Sequence, residues 1–365
     1  MFRVLAFTVK PRESADTRFR VLQFSSAARQ DGITIDHRSL IGKRYFQWQI
    51  RNRFILLRIL LFPGLLAIRF LQALLLAPRY DCIWIAREMA PIGPPLLEQL
   101  LLRRCKRVIF DIDDALHISD GKMASLIPRL LRDRSKFSRM AHRYDTVVCG
   151  SHELAAFYSR YSSNVRVIPT VVDTARFAAT RQIPSTKVRI GWIGTPLNSD
   201  HLELVYPALL DLARERQFEL VVVGLNKPLK WNLPSIRYLE WKLEREQDYF
   251  LQFDIGIMPL RDSPFARGKC AFKLVQYMAG GIPVVASPVG ANCDIVEQGR
   301  NGYLADTPQQ WSLSLKNLID DPAMRAQMGE YGRQCVHRGW SVPAAWQSYA
   351  EILTGARHKE TICAD

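Results

Sequence analysis

The stretch GKCAFKLVQYMAGGIPVVAS, residues 268–287, places Lys269 and Lys273 four positions apart at the start of an apolar helical pattern that Gly280 and Gly281 close. On one helix the pair would share a face, at a cost of roughly 0.2–0.5 kcal/mol for like charges. An anion would offset that cost, because a helix N-terminus already offers unpaired N–H groups and the positive end of the dipole to a phosphate. The plain alternative is two solvated lysines on a surface helix. A second concentration of chemistry lies in RVIFDIDDALH, residues 107–117, where an apolar strand ends in Asp111, Asp113 and Asp114 with His117 close behind. Carboxylates at a strand end suit acceptor activation or hydroxyl positioning, for which Asp113 and Asp114 are the candidates. They also suit a divalent cation or a helix N-cap among solvated acids. Arg18 and Arg20, just after the first strand, are candidates to reach an acceptor phosphate, with surface charge as the competing reading. Glu88, in IAREMAPIGPP, closes another strand and is a weaker candidate of the same kind.

These residues need a frame. Short β-rich runs (RVLAFTV, CIWIAR, RVIFDI, DTVVCG, VRVIP) alternate with amphipathic stretches in the first half, and the rhythm returns with VRIGWIG, FELVVVG, IRYLEW, FDIGIMPL, IPVVAS and GYLAD. Such alternation predicts parallel sheets with crossover helices. The expected fold is α/β: two doubly wound, Rossmann-like domains facing a cleft. The expected division is an N-terminal domain over 1–180 with a basic apolar insertion at 37–80, a C-terminal domain over 187–340, and a helix and tail over 341–365. RQIPSTK, residues 181–187, reads as the linker. Ligands of open α/β sheets bind at the carboxyl ends of the strands. The loop RDSPFARG and the two lysines follow the apolar strand FDIGIMPL, so they belong at such an end.

Composition narrows the partners. With 48 % hydrophobic and 23 % charged residues the 365-residue chain is globular, and 50 Lys+Arg against 35 Asp+Glu give +15. So basic a protein should meet acidic partners, although no recognised nucleic-acid module is present and no nucleic acid is expected. The seven cysteines are dispersed without CxxC spacing and read as reduced thiols. MFRVLAFTVKPRES reads as a first strand without an apolar h-region or cleavage site, so a cytoplasmic protein is expected. The stretch His37–Tyr80 carries eight Arg and Lys residues and no acid. Within it, FILLRILLFPGLLAIRFLQALLLAP is expected to break at Pro63-Gly64 into two helices too short to span a bilayer. It should lie instead on an anionic membrane surface at the inner face of the cell membrane, with its arginines on head groups. Two core-facing helices with ordinary surface arginines are the alternative.

From about residue 188 to 345 the chain resembles the GT-B glycosyltransferases called glycosyl transferases group 1, or family 4. The matching segments are FDIGIMPL, KLVQYMAGGIPVVASPVG, DIVEQGRNGYLA and WSLSLKNLIDDPAMRAQMGEYGR. VVCGSHELAAF and VRVIPTVVDTARF resemble the family's N-domain more thinly, with Thr170 and Val171 where Asn and Gly are common. The resemblance implies a C-terminal domain that binds a nucleotide-sugar, an N-terminal domain that binds the acceptor, and transfer with retention. Donor-binding residues would be Gly194, Thr195, Lys269, Lys273, Gln276, Gly290 and Asp294, the last with a helix N-cap as its other reading. No cofactor is implied, and the lysines would spare a divalent metal. Where members commonly carry two glutamates eight positions apart, this chain has Gly268 and Gln276, and GTPLNSDHLEL offers only His201 in place of a basic pair. Gln276 can still hydrogen-bond ribose hydroxyls. Two functions follow: a glycosyltransferase acting on a lipid-linked or envelope-polysaccharide acceptor, or a non-catalytic nucleotide-sugar-binding protein.

Overall fold

The computed structural model describes residues 1–119, 131–177, 185–225 and 227–355. The chain forms two compact units, Met1–Thr170 with Val342–Asp365, and Val171–Ser341. The division therefore falls at Thr170/Val171; most of the expected linker, residues 181–184, lies outside the described residues.

The first unit holds six parallel strands, β1 (Phe2–Thr8), β2 (Ile33–Ser39), β3 (Cys82–Ala86), β4 (Val108–Ile112), β5 (Thr146–Cys149) and β6 (Val165–Val167), in the order β2-β1-β3-β4-β5-β6. β3 and β4 are buried at every position, as helix-covered parallel strands must be. The strand order reverses between β1 and β3, so a ligand crevice is expected at their carboxyl ends. Sequence reading missed β2. As an edge strand it is half exposed, and its Asp36, His37 and Arg38 dilute the β pattern. The helix Val342–Thr354 completes this unit: Trp346 Nε1 donates to Asp31 (2.6 Å), and Tyr349 packs on Phe24 and Trp84.

The expected break at Pro63-Gly64 does not occur. Helix Ile55–Leu71 runs through Pro63 and continues in a π-helical turn, Gln72–Leu76, and a 3₁₀ turn, Ala77–Arg79. Pro63 lies on the exposed side, where a missing N–H costs less than inside a core. The resulting 25-residue stretch is long and apolar enough to cross a membrane by length and composition.

The second unit holds β7 (Val188–Ile193), β8 (Phe218–Val223), β9 (Ile236–Leu239), β10 (Ile255–Met258), β11 (Val284–Ala286) and β12 (Gly302–Leu304), all parallel, in the order β12-β11-β10-β7-β8-β9. One core, around Phe250, Phe253 and Tyr277, covers one face; another, around Trp192, Leu209 and Trp311, covers the other. Here the order reverses between β7 and β10, and their exits form the second crevice.

Candidate functional site

At the exits of β7 and β10 the sequence builds a cationic floor. The apolar run FKLVQYMA makes the helix Phe272–Ala279, which buries Leu274, Val275, Tyr277 and Met278 and ends at Gly280. Tyr277 pins it under the crevice: its hydroxyl accepts from Ile193 N–H (3.1 Å) at the end of β7 and donates to Ile257 C=O (3.4 Å) of β10. Lys273, in the first turn, lays its Nζ 4.5 Å from the centre of the Trp192 ring. Gly194 caps this arrangement. A Cβ there would stand 2.5 Å from the Trp192 ring and 3.0 Å from Lys273 Nζ, so only glycine lets the loop close over the lysine. Burial, reinforced by the charge of Lys269, pulls the Lys273 ammonium down to about 7.

Lys269 does not share a helical face with Lys273, as the spacing had implied. Ala271 adopts a left-handed conformation (φ 49°), so the helix begins only at Phe272. Lys269 stands in the preceding turn, its Nζ 5.1 Å from the Phe265 ring. Neither lysine has an acidic partner among the described residues. The other expected donor residues surround the same exits. Thr195 is exposed and precedes the 3₁₀ helix Pro196–Leu204; Gln276 is buried. Gly290 has φ 54°, and a Cβ there would meet the Arg267 carbonyl at 2.3 Å. Asp294 is exposed on the short helix Asn292–Ile295, whose N-cap is Ala291, so the capping reading fails. His201 Nδ1 accepts from Arg261 N–H (3.1 Å), joining the loops after β7 and β10.

The first unit's crevice is organised by a residue the sequence reading overlooked. Arg87, immediately after β3, holds a left-handed backbone (φ 71°), which is strained for a residue with a Cβ and concentrates at functional sites. Its guanidinium binds Asp113 through Nε (2.5 Å) and Nη2 (3.1 Å), Asp114 through Nη2 (3.0 Å) and Asp16 through Nη1 (3.0 Å). Against burial, which pushes it up, Lys10 and Arg87 hold the Asp16 carboxyl well below the usual carboxylate range. Asp113 and Asp114 are thus brought together, with Arg87 in the place a cation would take. Among the described residues no group of three or more His, Cys, Asp or Glu side chains is gathered to hold a metal.

Two expectations fail here, those for Arg20 and Glu88. Arg20 is buried and cannot reach an acceptor: its Nε and Nη2 bind Asp111 (2.9 and 2.7 Å) and its Nη1 donates to Ile168 C=O (2.8 Å). Asp111, which also accepts from Trp84 Nε1 (3.2 Å) and Tyr349 Oη (2.7 Å), belongs to the core; burial pushes its carboxyl upward. Glu88 is likewise buried, paired with Arg132 and Lys136 (both 3.0 Å). Arg18 is half-buried with its guanidinium carbon 4.7 Å from the Phe19 ring centre. His117 stacks on Phe157 (centroids 3.7 Å apart), and burial with nearby Arg134 lowers it to about 4, so it is neutral at pH 7.

Comparison with known proteins decides what the cationic crevice belongs to. Residues 187–321 match the family model described as Glycosyl transferases group 1. The second unit is a glycosyl transferases group 1 domain. Curated relatives include spore coat protein SA of Bacillus subtilis, 29 % identical over 23 % of this chain and 22 % of that protein. D-inositol 3-phosphate glycosyltransferase of Thermobispora bispora is 32 % identical over 30 % of this chain and 24 % of that protein. The chain thus spans about a quarter of the length of these relatives. Among solved structures, sucrose-phosphate synthase from Thermosynechococcus elongatus superposes with a TM-score of 0.65, at 16 % identity, over 98 % of this chain and 100 % of that one. Anabaena Alr3699/HepE, solved with UDP-glucose, gives 0.64 at 17 % identity, over the same shares. The two-sheet architecture is the GT-B fold of these solved structures.

Proposed function

We propose that this chain is a glycosyltransferase that moves a sugar from a nucleotide-sugar, held by the group 1 domain, to a lipid-linked or envelope-polysaccharide acceptor, with retention of configuration. One observation carries the reading: a half-buried lysine, with no acidic partner among the described residues, sits directly beneath the glycine loop at the crevice of that domain. As the glycosidic bond breaks, negative charge grows on the leaving diphosphate. Preplaced positive charge is worth several kcal/mol there, about 2.7–4 per lost donor in known cases. Lys273 and Lys269, at the start of the helix Phe272–Ala279, supply it without a divalent metal. Gln276 and Asp294 serve the ribose and sugar hydroxyls. In the first unit Asp113 and Asp114, fixed by Arg87, accept hydrogen bonds from the acceptor hydroxyl and orient it for attack. The protein works in the cytoplasm, at the inner face of the membrane.

A UDP-glucose-bound neighbour and relatives named as D-inositol 3-phosphate glycosyltransferases support a sugar nucleotide as donor. The second reading, a nucleotide-sugar-binding protein without turnover, is favoured by Gly268 and Gln276 where the family commonly has glutamates. Incubation of the full chain with UDP- and GDP-sugars and a crude lipid extract, with and without EDTA, separates the two. Donor-dependent transfer or slow donor hydrolysis that survives EDTA supports the enzyme; tight donor binding without sugar release supports the binding protein.

A further inference from the structure

The helix Ile55–Leu71 and its continuation to Arg79 carry their charge on the wrong side for a soluble surface helix. Arg58 and Arg69 are eleven residues apart, three turns of helix, and so share one face. That face points inward. Arg69 is 1 % exposed: its Nη2 donates to Thr8 C=O (2.6 Å) at the end of β1, its Nη1 to Arg38 C=O (3.2 Å) in β2, and its guanidinium lies over the Phe7 ring. Arg58 turns back to the Trp48 and Arg53 carbonyls (3.4 and 3.5 Å) of the preceding helix Lys43–Ile50 and its exit turn. The outward face carries no charge before Arg79 at its end. Leu56 is 84 % exposed and Leu60 76 %, with Ile59, Ile68, Phe70, Leu71 and Leu75 exposed beside them. An apolar face about 37 Å long, by the 1.5 Å rise of a 25-residue helix, is much more than a soluble monomer ordinarily shows to water.

We propose that this face inserts in-plane into one leaflet of a membrane, its outward side chains among the acyl chains and the helix axis parallel to the surface. The fastening argues against spanning: Arg69, Ala73 and Ala77 are buried in the first unit toward the end of the stretch, while none of residues 55–68 is buried, so that end of the helix is tied to the body that must stay in water. Charge selects lipid over a second copy of the chain. Lys43, Arg44, Arg51, Arg53 and Arg79 are exposed around the patch, and no acid lies between His37 and Tyr80. A two-fold contact would bring these cations together, whereas anionic head groups complement them. The patch borders the carboxyl ends of β1 and β2, the side of the sheet from which Arg87, Asp113 and Asp114 emerge after β3 and β4. The acceptor that suits this placement is one whose own lipid sits in the same leaflet, a conclusion that rests on the transferase reading.

Insertion and surface attraction respond differently to salt and to mutation. The full chain is sedimented with phosphatidylcholine vesicles with and without about a quarter phosphatidylglycerol, at low salt and near 0.5 M NaCl, where the Debye length falls to roughly 4–5 Å. Most of the binding should persist at high salt. Leu56→Glu/Leu60→Glu should lose it by about tenfold or more with an unchanged melting temperature, because both side chains are exposed. Arg51→Gln/Arg53→Gln should lose only the salt-sensitive part that phosphatidylglycerol adds. Absence of wild-type binding, binding abolished by salt, or full binding by the glutamate variant overturns insertion. So does a wild-type dimer that the glutamate variant turns into a monomer without vesicle binding. Vesicle binding without sugar transfer would leave insertion standing and remove the transferase reading alone.

Discussion

The two crevices use opposite charge arithmetic. In the group 1 domain the exits of β7 and β10 present Lys269 and Lys273 with no acidic partner among the described residues, a surplus that an anion would balance. In the first unit the exits of β1, β3 and β4 gather three carboxylates, Asp16, Asp113 and Asp114, around one arginine and one lysine. A cationic site assembled in advance costs stability until its ligand arrives. An ion web that already closes on itself contributes stability and presents the lone pairs that remain. The same strand-end position can therefore grip a diphosphate in one sheet and orient a neutral hydroxyl in the other.

Breaking the cationic side should have the largest effect. Lys273→Ala is expected to cut donor turnover by about 100-fold, with the melting temperature within about 2 °C of wild type; Lys269→Ala, which stands before the helix, by about tenfold. Steady-state rates of donor hydrolysis check this, and wild-type rates in both variants would return the lysines to ordinary surface charge. On the other side Arg87→Ala leaves three partly buried carboxylates without their shared counterion and should destabilise the protein by about 2–3 kcal/mol, read in urea. Unchanged stability would mean that the web contributes nothing. Asp113→Asn or Asp114→Asn should lower kcat about tenfold while donor affinity stays within about twofold, since the proposed diphosphate site belongs to the other unit. A parallel loss of donor affinity would break the division of labour. The smallest effect is a pH dependence. A diphosphate binds the charged form of Lys273, whose ammonium burial has lowered to about 7, so affinity should be level below pH 7 and fall by up to about tenfold per unit above it. Isothermal titration between about pH 6 and 8 reads it directly, and Lys273→Arg, which cannot lose its charge there, should flatten the curve.

Much of this was legible in the residues. The apolar runs that become β1, β3, β4, β7, β8, β10 and β11 are buried on both faces and therefore appear as continuous hydrophobic segments. The glycine-closed helix after FDIGIMPL marks the cationic crevice because its pattern is local. β2 was not legible, since an edge strand needs only half of the apolar signal. Arg87 was not legible either, because its three partners come from residues 16, 113 and 114, and its left-handed backbone follows from that convergence. Arg20 looks like an acceptor-phosphate contact in a linear reading, a cation just after a strand, but tertiary packing seals it against Asp111. The eleven-residue interval between Arg58 and Arg69 was available, and it puts both charges on one face of an unbroken helix.

The helix Val342–Thr354 brings the end of the chain back to its beginning, and this imposes an order on synthesis. Tyr349 supplies a hydrogen bond to Asp111, and Trp346 one to Asp31, so the first unit lacks part of its core until residue 354 has been made. The second unit is contiguous, from Val171 to Ser341, so all of its residues are made before that helix. At roughly 5–20 residues per second the 184 residues from 171 to 354 take about 10–40 s to emerge. During that interval the first-made half waits, with the buried charges of Arg20 and Asp111 not yet sealed, while the later half can finish folding ahead of it. A ribosome-stalled chain ending near residue 341 should accordingly protect the second unit from protease and leave the first one cleavable.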